Sequence, residues 1–294
     1  MKKLSIAIPA SVVSDTPHLR EKTSKIGSIG RAAAIFKVSN IIIYPDDPRL
    51  SLEKDADLVA RLLAYMETPQ YLRKRLFDLS PDLQFVGILP PLRTPHHPLN
   101  RNSRDLKMGE FREGVVLSKA KQGVLVDIGV EQSALAKNME VAVGQRVTVR
   151  VAKTGRPVEV EPADRNEVSS YWGYVVKVEK RSLGKMLRTG DFDLKIATSK
   201  YGSSFSGLRE KMIEKWASAR QVLVVFGAPT VGLSEIAARE GLKLDDVVDF
   251  VVNTIPNQGT ETVRTEEAVL GSLAVFNVDL GRSIAKRAVF RTKG

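Results

Sequence analysis

Apolar and polar positions alternate along the N-terminal part of the chain in the way expected for an α/β domain. Leu4–Pro9 and Asn40–Tyr44 are short apolar runs with the length of buried strands, and Lys25–Lys37 between them has the periodicity of a helix. A strand, a helix and a second strand in this order predict a parallel pair joined by a crossover. The pattern then predicts two helices and one further strand, at Leu52–Thr68, Pro69–Leu79 and Leu83–Leu89.

The pattern changes at residues 92–108, LRTPHHPLNRNSRDLKM, which are basic, contain two prolines and lack apolar periodicity. We expect a domain boundary there. The segments that follow are short alternating strands separated by glycine: EFREGVVLSKAKQGVLVDIG, VGQRVTVRVAK and PVEVEP. This spacing is typical of a small Greek-key β-barrel, and YWGYVVKVEK is expected to close it.

From Leu187 onward the α/β pattern returns. The predicted strands are FDLKIATS, QVLVVFGAP and VVDFVVNTIP, and the predicted helices are Gly207–Ala219, Ser234–Glu240 and Thr265–Phe276. The sequence therefore predicts an α/β fold interrupted by a small β-barrel. Its expected parts are an N-terminal α/β segment at residues 1–92, the barrel with its linker at 93–185 and a C-terminal α/β segment at 186–294.

Two turns rich in small and polar residues follow predicted strands of the C-terminal segment. VVFGAPTVG ends at Gly232, and NTIPNQGT runs from Asn253 to Thr260. Ligands of open α/β sheets lie beyond the carboxyl ends of the strands, where Gly227 and Gly259 would let a ligand approach the main chain. The alternative is two ordinary connections between strand and helix.

The last predicted helix argues against a phosphate ligand at this edge. Thr265 is expected to cap it, and Glu266 and Glu267 in its first turn would repel a phosphate. The sequence also lacks the G-x-x-x-x-G-K-[ST] and G-x-G-x-x-G motifs of phosphate-binding loops. A nucleoside-like ligand without phosphates, carrying positive charge, fits better.

Composition narrows the classes of function. The formal net charge of +11 and the pI near 9.7 favour a polyanionic partner such as nucleic acid, with a generic solvated surface as the alternative. The sequence has no cysteine, which excludes disulfides, thiolate catalysis and cysteine-ligated zinc. No apolar run reaches the length of a membrane span, so we expect a cytoplasmic protein without a membrane partner.

Several long motifs resemble one known family. FGAP, IPNQGTETVRTEEAV, TSKIGSIGRAAAIFKVSNIIIY and PPLRTPHHPL are similar to the SPOUT-class (α/β-knot) RNA methyltransferases, in the archaeal–eukaryotic subgroup with an inserted OB/S1-like barrel. The resemblance implies a trefoil-knotted domain that binds S-adenosyl-L-methionine in its C-terminal loops. The implied cofactor contacts are Gly227, Thr254, Ile255, Pro256, Gln258, Gly259, Thr260 and Val263. On this basis we expect Gly259→Val to block the cofactor pocket. Lys200 departs from the subgroup, which tends to carry arginine there.

Methyl transfer requires that the enzyme align the acceptor and remove its proton. Candidate groups in the N-terminal part are Asp15, His18, Arg20, Lys25 and Arg31. The resemblance favours Arg20 and Arg31 as catalytic residues of the substrate pocket, and a solvated helix face is the alternative. His96 and His97 are adjacent and have no acidic neighbour at ligand spacing, so we expect no metal site.

The predicted barrel resembles oligonucleotide-binding folds of the S1 type. Basic residues on it that we expect to bind RNA are Lys119, Lys121, Lys137, Arg146 and Arg150. Phe111, Tyr171, Trp172 and Tyr174 could offer stacking faces to bases or could fill the barrel core.

These observations together predict an S-adenosylmethionine-dependent RNA methyltransferase. The expected substrate is structured RNA, with ribosomal RNA preferred and transfer RNA possible, and the acceptor is a base nitrogen such as uracil N3 or a ribose 2′-oxygen. The resemblance implies a homodimer. The alternative is a non-catalytic RNA-binding or ribosome-associated factor that retains the knotted fold.

Overall fold

The computed structural model describes residues 2–291, and the side-chain surroundings of residues 2–280. The chain divides into two compact units, each assembled from separate segments. The α/β unit comprises the described parts of Met1–Ala64, Gln84–Pro90 and Tyr174–Gly294. The barrel unit comprises Tyr65–Leu83 and Pro91–Gly173.

The α/β unit contains a six-stranded sheet in which every strand pair is parallel. With strands numbered along the whole chain, its members are β1 (Lys3–Pro9), β2 (Asn40–Tyr44), β8 (Val175–Val178), β9 (Leu194–Ser204), β10 (Gln221–Val225) and β11 (Phe250–Asn253). Their order across the sheet is β11-β9-β10-β1-β2-β8. The central strands β1 and β10 are buried, with Ile6, Ile8 and Val224 fully inaccessible, because helices cover both faces of such sheets.

Seven α-helices, also numbered along the described chain, accompany the strands. They are α1 (Leu19–Ile35), α2 (Glu53–Glu67), α3 (Gln70–Leu76), α4 (Leu183–Thr189), α5 (Phe205–Ser218), α6 (Leu233–Arg239) and α7 (Thr265–Arg291). Helix α1 begins well before the predicted start at Lys25, because its first turns are polar and carry little apolar signal. Helix α7 continues past the predicted end at Phe276, and Leu280 beyond it is still fully buried.

The barrel unit contains a closed five-stranded β-barrel, as the alternating pattern predicted. Its strands are β3 (Phe111–Ala120), β4 (Gly123–Asp127), β5 (Ala134–Lys137), β6 (Arg146–Lys153) and β7 (Glu159–Pro162), in the order β3-β4-β5-β7-β6. Valines at alternate positions fill its interior, including Val124, Val126, Val149 and Val151.

The prediction that YWGYVVKVEK closes the barrel is wrong. Val175–Val178 pairs in parallel with β2 and forms the edge strand β8 of the α/β sheet. Trp172, three residues earlier, belongs to the barrel unit, where its indole N–H donates a 2.6 Å hydrogen bond to Glu113. The segment therefore leaves the barrel unit at Gly173. The prediction failed because the alternating pattern of a strand does not specify which sheet the strand joins.

The strand predicted at Leu83–Leu89 is also wrong. The structure has two short 3₁₀ turns there, at Pro81–Leu83 and Val86–Ile88. The apolar side chains of this segment are half-buried or exposed. A run of apolar residues without a sheet neighbour cannot satisfy its backbone hydrogen bonds as a strand.

Candidate functional site

A cavity of about 330 Å³ lies in the α/β unit, beyond the carboxyl ends of β10 and β11. Its wall is formed by residues 198–201 within β9, residues 226–233 after β10, residues 252–255 at the end of β11, and the start of α7. Its size lies within the range of small-molecule sites, about 300–1,000 Å³. The edge of the sheet that was expected to bind a ligand is therefore concave.

The predicted cofactor residues divide into two groups. Gly227, Thr254, Ile255, Gln258 and Val263 are partly buried and line the cavity. Pro256, Gly259 and Thr260 are exposed and lie outside the lining. The structure thus brings together the two ends of the polar loop and places its tip away from the cavity.

Side chains of the polar loop after β11 hold the loop itself in shape. The Asn253 carboxamide accepts a hydrogen bond from the Ile255 N–H at 3.0 Å and donates one to the Lys200 carbonyl at 2.9 Å. The Gln258 carboxamide donates to the carbonyls of Thr260 and Glu261, and the Lys200 ammonium also donates to Glu261 at 3.3 Å. Lys200 therefore holds the loop in place by two hydrogen bonds, one to its carbonyl from Asn253 and one from its ammonium to the Glu261 carbonyl.

Helix α7 is joined to both loops by hydroxyl groups. Thr265 is the first residue of the helix, and its hydroxyl donates to the Gly227 carbonyl at 3.2 Å. The hydroxyls of Ser272 and Thr254 lie 2.7 Å apart. Ser272 was not predicted as a site residue, although a fully buried serine between Val269 and Phe276 on the apolar face of a helix is a detectable signal.

The glycines of the two loops differ in how closely they are packed. A Cβ atom at Gly227 would lie 3.2 Å from the Val231 carbonyl oxygen and 3.4 Å from the Leu233 nitrogen, whereas at Gly259 no atom lies within 4 Å. The structure therefore removes the steric reason to expect that Gly259→Val blocks the pocket. Gly227 is the position where a side chain would disturb the loop.

The predicted catalytic arginines lie on α1 and do not line the cavity. Arg20 is exposed in the first turn of the helix, and Arg31 is half-buried further along it. Between them Lys25 is buried, and its ammonium lies 2.6 Å from Asp15 and 3.6 Å from Glu266. The N-terminal charges that the structure brings together are therefore those of Asp15 and Lys25.

The basic residues predicted to bind RNA lie at different places on the barrel. Lys119 and Lys121 flank the turn between β3 and β4, and Lys137 pairs with Gly123 in the neighbouring strand, so three exposed lysines lie at one end of the barrel. Lys137 is 2.6 Å from Glu159. Arg150 lies opposite Phe111 at the other end of β3 and is paired with Glu161 at 2.6 Å.

Arg146 is engaged by two buried carboxylates of the barrel unit. Its guanidinium donates to Glu113 at 2.5 Å and to Glu67 at 2.7 Å. Glu67 also accepts from Arg165 at 3.0 Å and lies 3.2 Å from His96. Burial would raise the pKa of Glu67, but the hydrogen bond from His96 and the charge of Arg146 lower it to about 2. The charge of Arg146 is therefore balanced within the protein.

Trp172 of the barrel unit and Tyr174 of the α/β unit are each enclosed within their own unit. Trp172 is buried against Glu113, and the buried Tyr174 donates its hydroxyl to the Leu63 carbonyl at 3.1 Å. His97 is hydrogen-bonded to the Glu67 carbonyl at 2.6 Å, and burial together with the charge of His96 lowers its pKa to about 4. Trp172 and Tyr174 therefore fill the protein interior and present no stacking face to bases.

Within residues 2–291, no group of three or more histidine, aspartate and glutamate side chains is arranged to hold a metal ion. Over the same part of the chain, no helix combines the length and the apolar character needed to cross a bilayer.

The chain is similar to a family of known proteins. Residues 3–276 match a family model described as "Putative RNA methyltransferase". The mouse protein named 28S rRNA (uridine-N(3))-methyltransferase is 34% identical over 94% of this chain and 76% of its own length, and the human protein of the same name is 33% identical over 94% and 78%. An uncharacterised protein of Halobacterium salinarum is 34% identical over 92% of this chain and 96% of its own length.

Proposed function

The chain belongs to this family of RNA methyltransferases, and from that premise we propose that it uses S-adenosyl-L-methionine to methylate N3 of a uridine in ribosomal RNA. The observation that carries the proposal is the cavity formed by the loops after β10 and β11, closed by the start of α7. Five of the residues that line it are ones that the family resemblance assigns to the cofactor: Gly227, Thr254, Ile255, Gln258 and Val263.

The residues of the cavity fit this cofactor. Phe226, Leu233 and Val252 offer apolar contacts, and main-chain groups next to Gly227 are within reach of a ligand because that residue has no side chain. Glu235 is also among the lining residues, and its carboxylate lies 3.4 Å from the Arg239 guanidinium. When bound, the cofactor supplies a methyl group that is already activated by the positive charge on sulfur.

The choice of acceptor rests on the relatives and on the barrel. The mouse and human relatives bear the name of uridine-N(3) methyltransferases of 28S rRNA. The exposed Lys119 and Lys121 at one end of the barrel supply positive charge for the phosphates of a structured RNA, whereas the neighbouring Lys137 is paired with Glu159. We propose that the barrel is of the oligonucleotide-binding type and that this end of it contacts ribosomal RNA.

We further propose that the α/β unit is knotted and that two copies of the chain associate. The hydrogen bond from Thr265 to the Gly227 carbonyl, which holds the last helix against the earlier loop, supports a trefoil knot around the cofactor site. Leu270 and Val278 lie two turns apart on one side of α7 and are 48% and 51% exposed. Exposed apolar side chains on one side of a helix support the burial of that side in a homodimer interface.

Titration calorimetry with S-adenosyl-L-methionine and its demethylated product tests the proposal. We expect micromolar binding by the wild type, a loss of at least tenfold in Gly227→Val, because the new side chain would press on Val231 and Leu233, and no change in the matched control Gly259→Val, which points into open space. Digestion of RNA treated with the active protein should then yield 3-methyluridine. Intact RNA affinity without cofactor binding would favour the non-catalytic RNA-binding factor.

A further inference from the structure

A second cavity, of about 450 Å³, also borders the start of α7. Thr265 lines the first cavity, whereas its neighbours Arg264 and Glu266 line the second. The rest of the second cavity is formed by the turn after β1, with Asp15, and by the first turns of α1, with Lys25. The two cavities therefore share the start of α7 as part of their walls.

The second cavity contains a buried cation between two carboxylates. The Lys25 side chain is 6% exposed, and its ammonium lies 2.6 and 2.8 Å from the two Asp15 oxygens and 3.6 Å from Oε2 of Glu266. Burial raises the pKa of Asp15, but the hydrogen bond and charge of Lys25 outweigh it and lower that pKa. Asp15 thus holds the ammonium in place on the wall of the cavity.

Glu266 has an acceptor that nothing in the protein uses. Its Oε2 atom is buried and accepts no hydrogen bond, since the Lys25 ammonium at 3.6 Å is beyond hydrogen-bond distance. A buried carboxylate oxygen normally accepts at least one N–H or O–H. The vacant acceptor on a cavity wall is therefore suited to a donor on a ligand.

The Watson–Crick edge of uracil has the complementary pattern. It presents one N–H at N3 between two carbonyl oxygens, and deprotonation spreads negative charge onto those oxygens. The cavity presents a carboxylate acceptor on Glu266 next to donors on Lys25 and Ser24. A carboxylate beside a cation can remove the N3 proton and stabilise the resulting anion.

We propose that this second cavity receives the target uracil, with Glu266 as the catalytic residue that accepts the N3 proton and Lys25 beside the ring carbonyl that gains negative charge. This inference rests on the proposed N3 methylation. The N3–H bond breaks as its proton moves to Glu266, and the freed electron pair forms the bond from N3 to the methyl carbon. The bond from that carbon to sulfur breaks, and its electron pair stays on sulfur.

The assignment gives the predicted arginines a different role. An arginine side chain stays protonated in proteins, so neither Arg20 nor Arg31 can take the N3 proton. Both lie on α1, the helix that also carries Lys25, where a guanidinium could hold an RNA phosphate.

Glu266→Gln tests the proposal, because it keeps the shape and the acceptor but cannot take up a proton. We expect single-turnover methyl transfer to a uridine-containing ribosomal RNA fragment to fall by about 10²–10⁴-fold, with unchanged affinity for the cofactor. The defect should shrink as the pH rises and the uracil N3–H ionises by itself. The charged groups that face Glu266 are Lys25 and Glu21 of α1, Asp15 of the preceding turn, and Arg264.

Two controls separate catalysis from folding and from loss of charge. Glu214→Gln removes one carboxylate charge from the exposed side of α5 and should leave the rate unchanged. Glu266→Ala should also lose the preference of the wild type for RNA with uridine over RNA with 3-methyluridine at the target, a binding readout that needs no methyl transfer.

The outcomes distinguish this inference from the proposed function. If the wild type forms 3-methyluridine and Glu266→Gln is equally fast, or its defect does not shrink as the pH rises, the assignment of Glu266 is overturned while the function stands. If the wild type neither binds the cofactor nor methylates RNA, both are overturned.

Discussion

The carboxylates of Glu67 and Glu113 in the barrel unit and of Glu266 in the α/β unit differ in whether all their oxygens accept hydrogen bonds. In the barrel unit, Glu113 accepts from Arg146, Thr148 and Trp172, and Glu67 is held by Arg146 and Arg165. In the α/β unit, Lys25 is paired with Asp15, but one buried oxygen of Glu266 has no donor.

The difference indicates what each group is for. A buried charge with a full set of partners resists rearrangement, and removal of one partner leaves the others uncompensated. A buried carboxylate oxygen that no protein donor reaches can accept a hydrogen bond from a ligand or from water. We therefore interpret the Glu67–Glu113 group as a structural element of the barrel unit and the Lys25–Glu266 group as part of a binding site.

The largest expected effect on stability comes from breaking the complete group. Arg146→Met leaves Glu67 and Glu113 without their shared cation, and we expect the barrel unit to lose about 3–5 kcal/mol of unfolding free energy. Urea unfolding followed by Trp172 fluorescence in a Trp216→Phe background measures this, because the chain has two tryptophans, one in each unit.

The matched control is Arg150→Met, which breaks the exposed pair with Glu161 on the same strand. Its expected cost is about 0–1 kcal/mol. Equal losses in the two variants would contradict the distinction between a buried structural cation and a surface cation.

A smaller effect is expected at the exposed end of the barrel. Lys119→Gln combined with Lys121→Gln removes two cations that can release counterions on binding, so RNA affinity should fall on the order of tenfold and the salt dependence should become shallower by about 1.5 in log–log slope. Filter binding of a ribosomal RNA fragment at several salt concentrations measures both quantities. Cofactor affinity should not change, and unchanged RNA binding would remove this end of the barrel from the interface.

A further expected effect is a dependence of barrel-unit stability on pH. The pKa of His97 is lowered from 6.5 in the unfolded chain to about 4 in the folded chain. Between these two pH values the unfolded chain binds a proton that the folded chain does not bind, so the unfolding free energy falls as the pH drops from 6.5 towards 4. The pKa of Glu67, lowered from 4.5 to about 2, extends the loss to lower pH. The Trp172 unfolding curves should therefore shift to lower urea between about pH 7 and about pH 5. His97→Gln should flatten this shift, and an equally steep shift in that variant would point to other groups.

Much of the fold could be predicted because its signals are local. The apolar runs of β1, β2 and β10 are continuous over the length of a strand, and the valines of the barrel alternate with period two. The helix start at Leu19 could not be predicted as well, because its first turns are polar. Leu83–Leu89 was misassigned because apolar composition alone does not reveal whether a neighbouring strand is present.

The candidate site could be predicted only in part for a related reason. The loop that contains Thr254 and Gln258 stands out by its polar, turn-forming residues, but its tip at Pro256 and Gly259 looks the same in sequence and lies outside the cavity. Ser272 contributes through its place on the buried face of α7, and that face is defined only once the helix packs.

The sequence by itself determined the α/β class, the presence of a small barrel, the positive charge and the loops that border the cavity, because each depends on residues close together in the chain. Only the tertiary structure decided that β8 joins the parallel sheet, that Arg146 is neutralised by Glu67 and Glu113, and that Lys25 lies beside Glu266. These facts depend on contacts between residues distant in sequence, and periodicity describes the environment of a side chain without naming its partner.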